Sequence, residues 1–288
     1  MFSALSSLGG MVKSPPPYIP IFPFTTSLTG SDITYANNTF VLTFKSNGTL
    51  TFKNNVTLPT LVNYLVVGGG GTGSIFYNKS GGGGAGGEVK QFTGGSNGTT
   101  LSAANLIQTQ TIVVGASFYN TDTSSQSSGR KGNPSSVSIP GVIDISANGG
   151  EGAKNTYNWN TYTVDPLGGV GQNGGGSGGP GGGSTSASNG ANGTAVTIRG
   201  ITYYFAGGGA GGAKNFDFNP IGGLGGGGGR RSNGNVLPYY GPNGIIERYN
   251  SISGFNNSGG GGAGAEYQQN PGGGSAGSGI VVVWFTYT

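Results

Sequence analysis

Cysteine and histidine are both absent from the 288-residue chain. Without histidine no Ser-His-Asp triad can form. Without cysteine there is no thiol nucleophile, disulfide or thiolate ligand. The common structural zinc sites, which use Cys and His, are excluded as well. Charge is scarce: 8% of residues, against about a quarter in an ordinary soluble domain. The nine carboxylates are Asp32, Glu88, Asp122, Asp144, Glu151, Asp165, Asp217, Glu247 and Glu266. They are scattered, with no calcium-loop spacing. A non-enzyme without catalytic residues, metal site or cofactor is expected. No run of 18 or more apolar residues exists, so no membrane-spanning helix is expected. No basic residue precedes the mildly apolar stretch Met1 to Val12, so no signal peptide is expected. The thirteen Lys and Arg are dispersed, with only Arg130-Lys131 and Arg230-Arg231 adjacent. The net charge of +4 therefore reads as a weakly basic solvated surface and not as a specific nucleic-acid site.

What the chain has in excess is glycine: 65 residues, about three times the usual share. Three architectures could use it. A flexible linker lacks the Tyr, Phe, Val and Trp that recur here at intervals. Collagen needs glycine at every third position, and the phase set by Gly168, Gly171 and Gly174 breaks at Ser177. The remaining reading is glycine in packed polyproline II-type helices, with about three residues per turn. Lacking Cβ atoms, such helices can lie close enough to pair N–H and C=O groups between neighbours. That pairing offsets the large chain entropy that glycine loses.

Along the chain, residues 1–30 read as a Pro-rich extended N-terminal arm. Its segment from Ser14 to Phe24 alternates proline with large apolar groups and cannot enter a central strand. Tyr18, Ile19, Ile21, Phe22 and Phe24 are candidate partner contacts. Residues 31–288 read as a single glycine-rich β domain. In it, Phe40, Leu42 and Phe44 alternate with Val41 and Thr43, Asn47-Gly48 is a hairpin signal, and Leu50 and Phe52 resume the alternation. Tyr64 to Val67 suits a strand buried on both faces. The most apolar strand closes the chain, from Gly279 to Tyr287. Strands in 39–67 and 279–288 are expected to pair and to enclose a glycine-rich insert, 68–278, that carries further short β pieces. Only Ser102 to Gln108 hints at helix. The expected class is all-β, a sandwich-like fold with packed polyglycine helices and almost no α-helix.

One motif imitates chemistry. Gly68 to Gly73 satisfies GxGxxG after a strand, and Glu88 lies twenty residues beyond Gly68, as in a dinucleotide site. No helix opens after it, because Gly81 to Gly84 follow almost at once. Aromatics at Tyr157, Trp159 and Tyr162, and at Tyr239 and Tyr240, fall between glycine clusters. They read either as ligand loops or as a small core capping the glycine layer.

Several segments in order carry a resemblance. They are Tyr64 to Gly71, Gly81 to Gly87, Thr111 to Gly115, Thr202 to Gly209, Gly259 to Gly264 and Gly277 to Val283. The stretch Leu42 to Phe52 belongs with them. Together they resemble the glycine-rich domain of phage tail tip proteins and of virion proteins of large DNA viruses, over residues 39–288. The resemblance implies a structural or adhesive role in a virion and supplies no catalytic residues. The leading expectation is a minor capsid protein that binds neighbouring capsid subunits through its arm, as part of an oligomer or larger assembly. The rival is a tail-fibre adhesin that binds a host receptor through loops between glycine runs. A surface-binding polyglycine protein would need a flat, regular face, which the irregular spacing of the runs opposes.

Overall fold

The computed structural model describes residues 22–29, 32–59, 61–76, 80–93, 101–119, 126–158, 163–181, 188–212, 220–229, 239–240, 246–247, 253–265 and 273–287. The first strands are β1 (Phe24–Thr26), β2 (Ile33–Ala36), β3 (Thr39–Phe44), β4 (Gly48–Phe52), β5 (Val62–Val67), β6 (Ile75–Phe76) and β7 (Val89–Thr93). A single helical turn, α1 (Ala103–Leu106), follows. Then come β8 (Gln110–Val113), β9 (Gln126–Ser127), β10 (Ser135–Ile139), β11 (Ile143–Ala147), β12 (Lys154–Asn158) and β13 (Thr163–Leu167). The last are β14 (Thr194–Ile198), β15 (Ile201–Phe205), β16 (Tyr239–Tyr240), β17 (Ile246–Glu247) and β18 (Ile280–Thr286). The fold is all-β. The one turn of helix lies inside Ser102 to Gln108, with the Ser102 hydroxyl accepting from the Asn105 N–H at its start.

Two five-stranded antiparallel sheets form a sandwich. One runs β1-β4-β8-β10-β11 and the other β2-β3-β18-β5-β7. Alternation decides which side chains enter the core between them. Phe40, Leu42 and Phe44 of β3, Val62, Tyr64 and Val66 of β5, and Val281, Val283 and Phe285 of β18 point inward. They meet Leu50, Phe52, Ile112 and Val137 from the facing sheet. The intervening residues Val41, Leu65, Val67, Ile280 and Val282 face the other way, into a second core under Val196, Ile198, Tyr203 and Phe205 of the β14–β15 hairpin. This double burial accounts for the unbroken apolar runs of β5 and β18. The terminal strand β18 lies between β3 and β5, opposite Leu42 through Val283 and opposite Tyr64 through the same residue.

The structure corrects one turn. Asn47-Gly48 does not close a hairpin, because β3 and β4 belong to different sheets. The Asn47 side chain instead accepts from the Val114 N–H at 2.8 Å, and the chain arches from one sheet to the other. Phe44 and Leu50 thus face each other across the core and not along a ladder. The two-residue hairpin is one strand earlier. Asn37 and Asn38 take φ of 48° and 57° between the paired Ala36 and Thr39, as a primed turn requires. The arm is corrected too. Phe24 lies in β1, paired with Phe52 of β4, and is 3% exposed. Its ring meets Phe40, Phe52 and Phe285 at 5.4, 6.3 and 5.9 Å. Phe24 is a core residue of its own domain because β1 completes the sandwich edge, so the end of the segment expected as an arm belongs to the sandwich.

Candidate functional site

The glycine runs pack as polyproline II-type helices, and their hydrogen bonds show the threefold period directly. Gly68, Gly71 and Ser74 donate to Glu88, Ala85 and Gly82. Gly69 and Thr72 donate to Asn133 and Arg130, and Gly70 and Gly73 to Gly277 and Gly274. One segment thus bonds three neighbours from three faces, each face repeating every third residue. The segment beside it behaves likewise. Gly81, Gly84 and Gly87 donate to Ala265, Gly262 and Gly259; Gly83 and Gly86 to Gly179 and Gly176; Ala85 and Glu88 to Glu151 and Asn148. At the glycines of these segments a Cβ would run into neighbouring backbone. One built on Gly70 would stand 2.5 Å from the carbonyl carbon of Gly260.

The array grows out of the sandwich without a slip of register. In the β5–β7 pair Val67 faces Val89, and the next bonds run from Gly68 to Glu88, Gly71 to Ala85 and Ser74 to Gly82. In the same way the β18–β5 ladder continues through Gly70–Gly277 and Gly73–Gly274, and the β14–β15 ladder through Gly208–Ala191 and Gly211–Ser188. The β10–β11 ladder continues through Gly132–Gly150 and Gly129–Ala153. Beyond Thr72–Arg130 the chains return to a β-ladder, in which Ile75 faces Ser127. The molecule therefore has a sandwich end and a far end, joined by glycine helices.

At the junction sits Glu88, 3% exposed. Its carboxylate accepts from the Asn148 N–H and side-chain amide at 2.8 and 3.0 Å and from the Asn173 amide at 3.4 Å, with the Lys90 ammonium at 3.6 Å. Those contacts occupy the residue that the GxGxxG pattern offered for a ribose. Gly68 to Gly73 form a glycine helix and open no α-helix. Sequence reasoning missed Asn148 and Asn173. The available signal was a carboxylate placed at the end of the run Gly81 to Gly87. Elsewhere, Asn189 and Asn192, three residues apart, accept from the N–H groups of Ile221 and Leu224 at 2.8 and 2.9 Å.

The far end gathers chain reversals. Ser74, Gly81, Gly181, Gly212 and Ala265 stand together there: Gly212 donates to Gly81, Gly81 to Ala265, and Ala265 to Ser74. A Cβ on Gly181 would touch the Gly81 carbonyl. From these residues the connections 77–79, 182–187, 213–219 and 266–272 depart. The β12–β13 hairpin, which carries the backbone of Tyr157 opposite Val164, starts beside Gly82 at the same end. Trp159 and Tyr162 lie outside the described residues. Tyr239 and Tyr240 form β16, opposite Glu247 and Ile246, beside β15 and thus on the sandwich side. Among the described residues, the backbone of Tyr157 lies in a hairpin that starts at the far end, and that of Tyr239 and Tyr240 lies beside β15. Of the arm candidates, Tyr18, Ile19 and Ile21 lie outside the described residues, Phe24 is in the core, and Phe22 is exposed at the sandwich end.

A family model described as a glycine-rich domain matches residues 45–286. The chain belongs to this glycine-rich domain family. The match begins in the arch between β3 and β4 and ends with β18. β1, β2 and β3 thus precede the matched part yet complete its sandwich. No curated protein shows a significant match to the chain. Among the described residues, no helix is long and apolar enough to cross a membrane.

Proposed function

We propose that this glycine-rich domain protein is a structural virion component, a minor capsid protein that binds neighbouring capsid subunits and takes its N-terminal arm as an assembly contact. The observation that carries the reading is the unbroken register from sandwich to far end. A body whose helices are tied on several faces by backbone bonds holds its two ends at a fixed separation. Such a body suits a spacer or cement role in a shell. At the sandwich end Pro23 accepts from the Lys53 N–H at 2.9 Å, which ties the residues that follow the proposed arm to the body.

A second reading is favoured by one observation, the gathering of chain reversals at the far end. An adhesin at a fibre tip would present its receptor-binding loops there. The test is binding of the full chain and of residues 22–288 to purified capsid shells and to host cells. Truncation at 22 keeps β1, whereas truncation at 31 would remove Phe24 from the core. If the folded shorter chain loses capsid binding, the arm is the assembly contact. If both chains bind host cells and neither binds shells, the capsid reading fails and the adhesin reading replaces it.

A further inference from the structure

Asparagine followed by glycine occurs eight times in the chain. In this pair the backbone nitrogen after the asparagine can attack the side-chain amide carbon, because glycine has no Cβ to hinder the approach. Five of the pairs lie among the described residues: Asn47-Gly48, Asn148-Gly149, Asn173-Gly174, Asn189-Gly190 and Asn192-Gly193. The attack needs an unengaged backbone N–H, an amide free to turn toward it, and a backbone with room to rotate. The fold withholds at least one of these from four pairs. The Gly190 and Gly193 N–H groups each donate at 2.9 Å, to the carbonyls of Ile221 and Leu224. The amide oxygens of Asn189 and Asn192 are held by the N–H groups of those same residues. The Asn47 amide oxygen is held by the Val114 N–H, and Gly48 lies in β4. Asn148 is clamped to Glu88 by its backbone N–H, its carbonyl and its side-chain amide. A Cβ on Gly149 would run into the backbone of Gly132, so that segment is fixed in the array.

Asn173-Gly174 differs on every count. The two residues form the tip of a turn, closed by the bond from the Gly175 N–H to the Gln172 carbonyl at 2.7 Å. Both are exposed. Gly174 takes φ of +77°, a region that glycine enters without strain. Among the described residues its N–H has no acceptor. The Asn173 side chain is held by the 3.4 Å contact with the Glu88 Oε1, which is longer than the usual bond. The Asn173 carbonyl accepts from the Val89 N–H at 2.9 Å, so the turn is attached to the junction beside Glu88.

We infer that Asn173-Gly174 is a site of spontaneous deamidation, which sets a second carboxylate beside Glu88 and loosens the junction as the protein ages. The Gly174 nitrogen bonds to the side-chain carbonyl carbon of Asn173, the Cγ–Nδ2 bond breaks, and ammonia leaves with the proton from Gly174. Water then opens the cyclic imide at either of its carbonyls and yields aspartate or isoaspartate. Either product has a carboxylate where an amide had donated to Glu88, so an attraction becomes a repulsion between like charges. The Lys90 ammonium, 3.6 Å from Glu88, then serves two carboxylates. Isoaspartate also adds a backbone atom to the turn and displaces the carbonyl that Val89 uses. The inference concerns the junction and holds whatever the chain binds.

The test is peptide mapping by mass spectrometry of the full chain, kept folded at mildly alkaline pH and sampled over days, beside the same chain held in urea. In urea the five pairs should convert at comparable rates. In the folded chain Asn173 should keep most of that rate, while the other four slow at least about tenfold, because bonds of ordinary strength must open first. An amide retained at Asn173, or equal conversion of all five pairs in the folded chain, overturns the inference. The second arm compares thermal unfolding of Asn173→Asp with that of Asn173→Ser, which loses the bond to Glu88 without adding charge. The aspartate variant should have the lower midpoint at neutral pH. A midpoint equal to or above that of Asn173→Ser overturns the loosening of the junction. Circular dichroism checks that both variants fold, and mapping of the unaltered chain decides the site if either does not.

Discussion

Replacing Gly70 by alanine tests the packing of the glycine array at one atom. The new Cβ would stand 2.5 Å from the Gly260 carbonyl carbon and 2.9 Å from the Gly261 nitrogen. Backbone cannot swing aside as a side-chain tip can, so the 68–74 and 259–265 segments must separate. Three bonds are then at risk: Gly70 N–H to Gly277, Gly277 N–H to Gly260, and Gly262 N–H to Gly71, at 3.0, 2.9 and 3.0 Å. At about 1 kcal/mol for each bond weakened, with about 1–3 kcal/mol of overpacking strain, the cost is about 4–6 kcal/mol. Less unfolded-chain entropy returns about 0.4–1 kcal/mol. The control is Gly141, between β10 and β11, with φ of +70° and nothing within 4 Å of a built Cβ. There alanine meets only the left-handed backbone, worth about 1–2 kcal/mol. Urea unfolding of the two variants beside the parent chain measures both. Equal losses, or a loss below about 1 kcal/mol for Gly70→Ala, would refute close packing as the source of the array's stability.

Further perturbations probe the polar groups. Tyr64→Phe removes the buried bond from the phenol to the Gln110 Oε1 at 3.0 Å and should cost about 1–3 kcal/mol; Gln110→Leu added to it should recover part of the loss in the same unfolding assay. Burial holds the Tyr64 phenol above its ordinary value. The unfolded chain therefore ionises first, stability conferred by Tyr64 is full below about pH 10 and falls as pH rises beyond it, and a pH series of unfolding midpoints should show a shallower alkaline loss in Tyr64→Phe. Glu88→Ala strands the buried amide donors of Asn148 and Asn173 at the junction, and should cost about 1–3 kcal/mol, read as a lowered thermal midpoint. Asn189→Ala with Asn192→Ala should leave global stability within about 1–3 kcal/mol and speed hydrogen exchange at the amides of Ile221 and Leu224; unchanged exchange there would show that the two side chains are dispensable.

The β class was legible because side chains announce it. Phe40, Leu42 and Phe44 alternate, and Val281 to Phe285 form an apolar run that only a doubly covered strand can use. The glycine helices were legible as a type, from the lack of Cβ atoms in company with spaced aromatics. Their partners were not, because a glycine carries no side chain to distinguish one neighbour from another. The flanking ladders choose for them, and that choice depends on strands far apart in the chain. The misread turn has a similar cause. Asn47-Gly48 offers the usual hairpin residues, yet the Asn47 amide is taken by Val114, 67 residues away. Asn37-Asn38 carried the true turn signal, between the shorter strand β2 and β3. Phe24 shares its segment with prolines that mark an arm, although its spacing from Phe22 matches a strand with one face turned inward.

The threefold bonding turns the array into a length gauge. Adding or removing one residue in a glycine run would rotate everything beyond it by a third of a turn and aim its N–H groups at the wrong neighbour. Adding three residues to each of the runs that lie side by side would restore every pairing and raise the far end by about 9 Å. The reach of this molecule can therefore change only in whole steps, taken by all of its glycine helices together, while the sandwich beneath stays as it is.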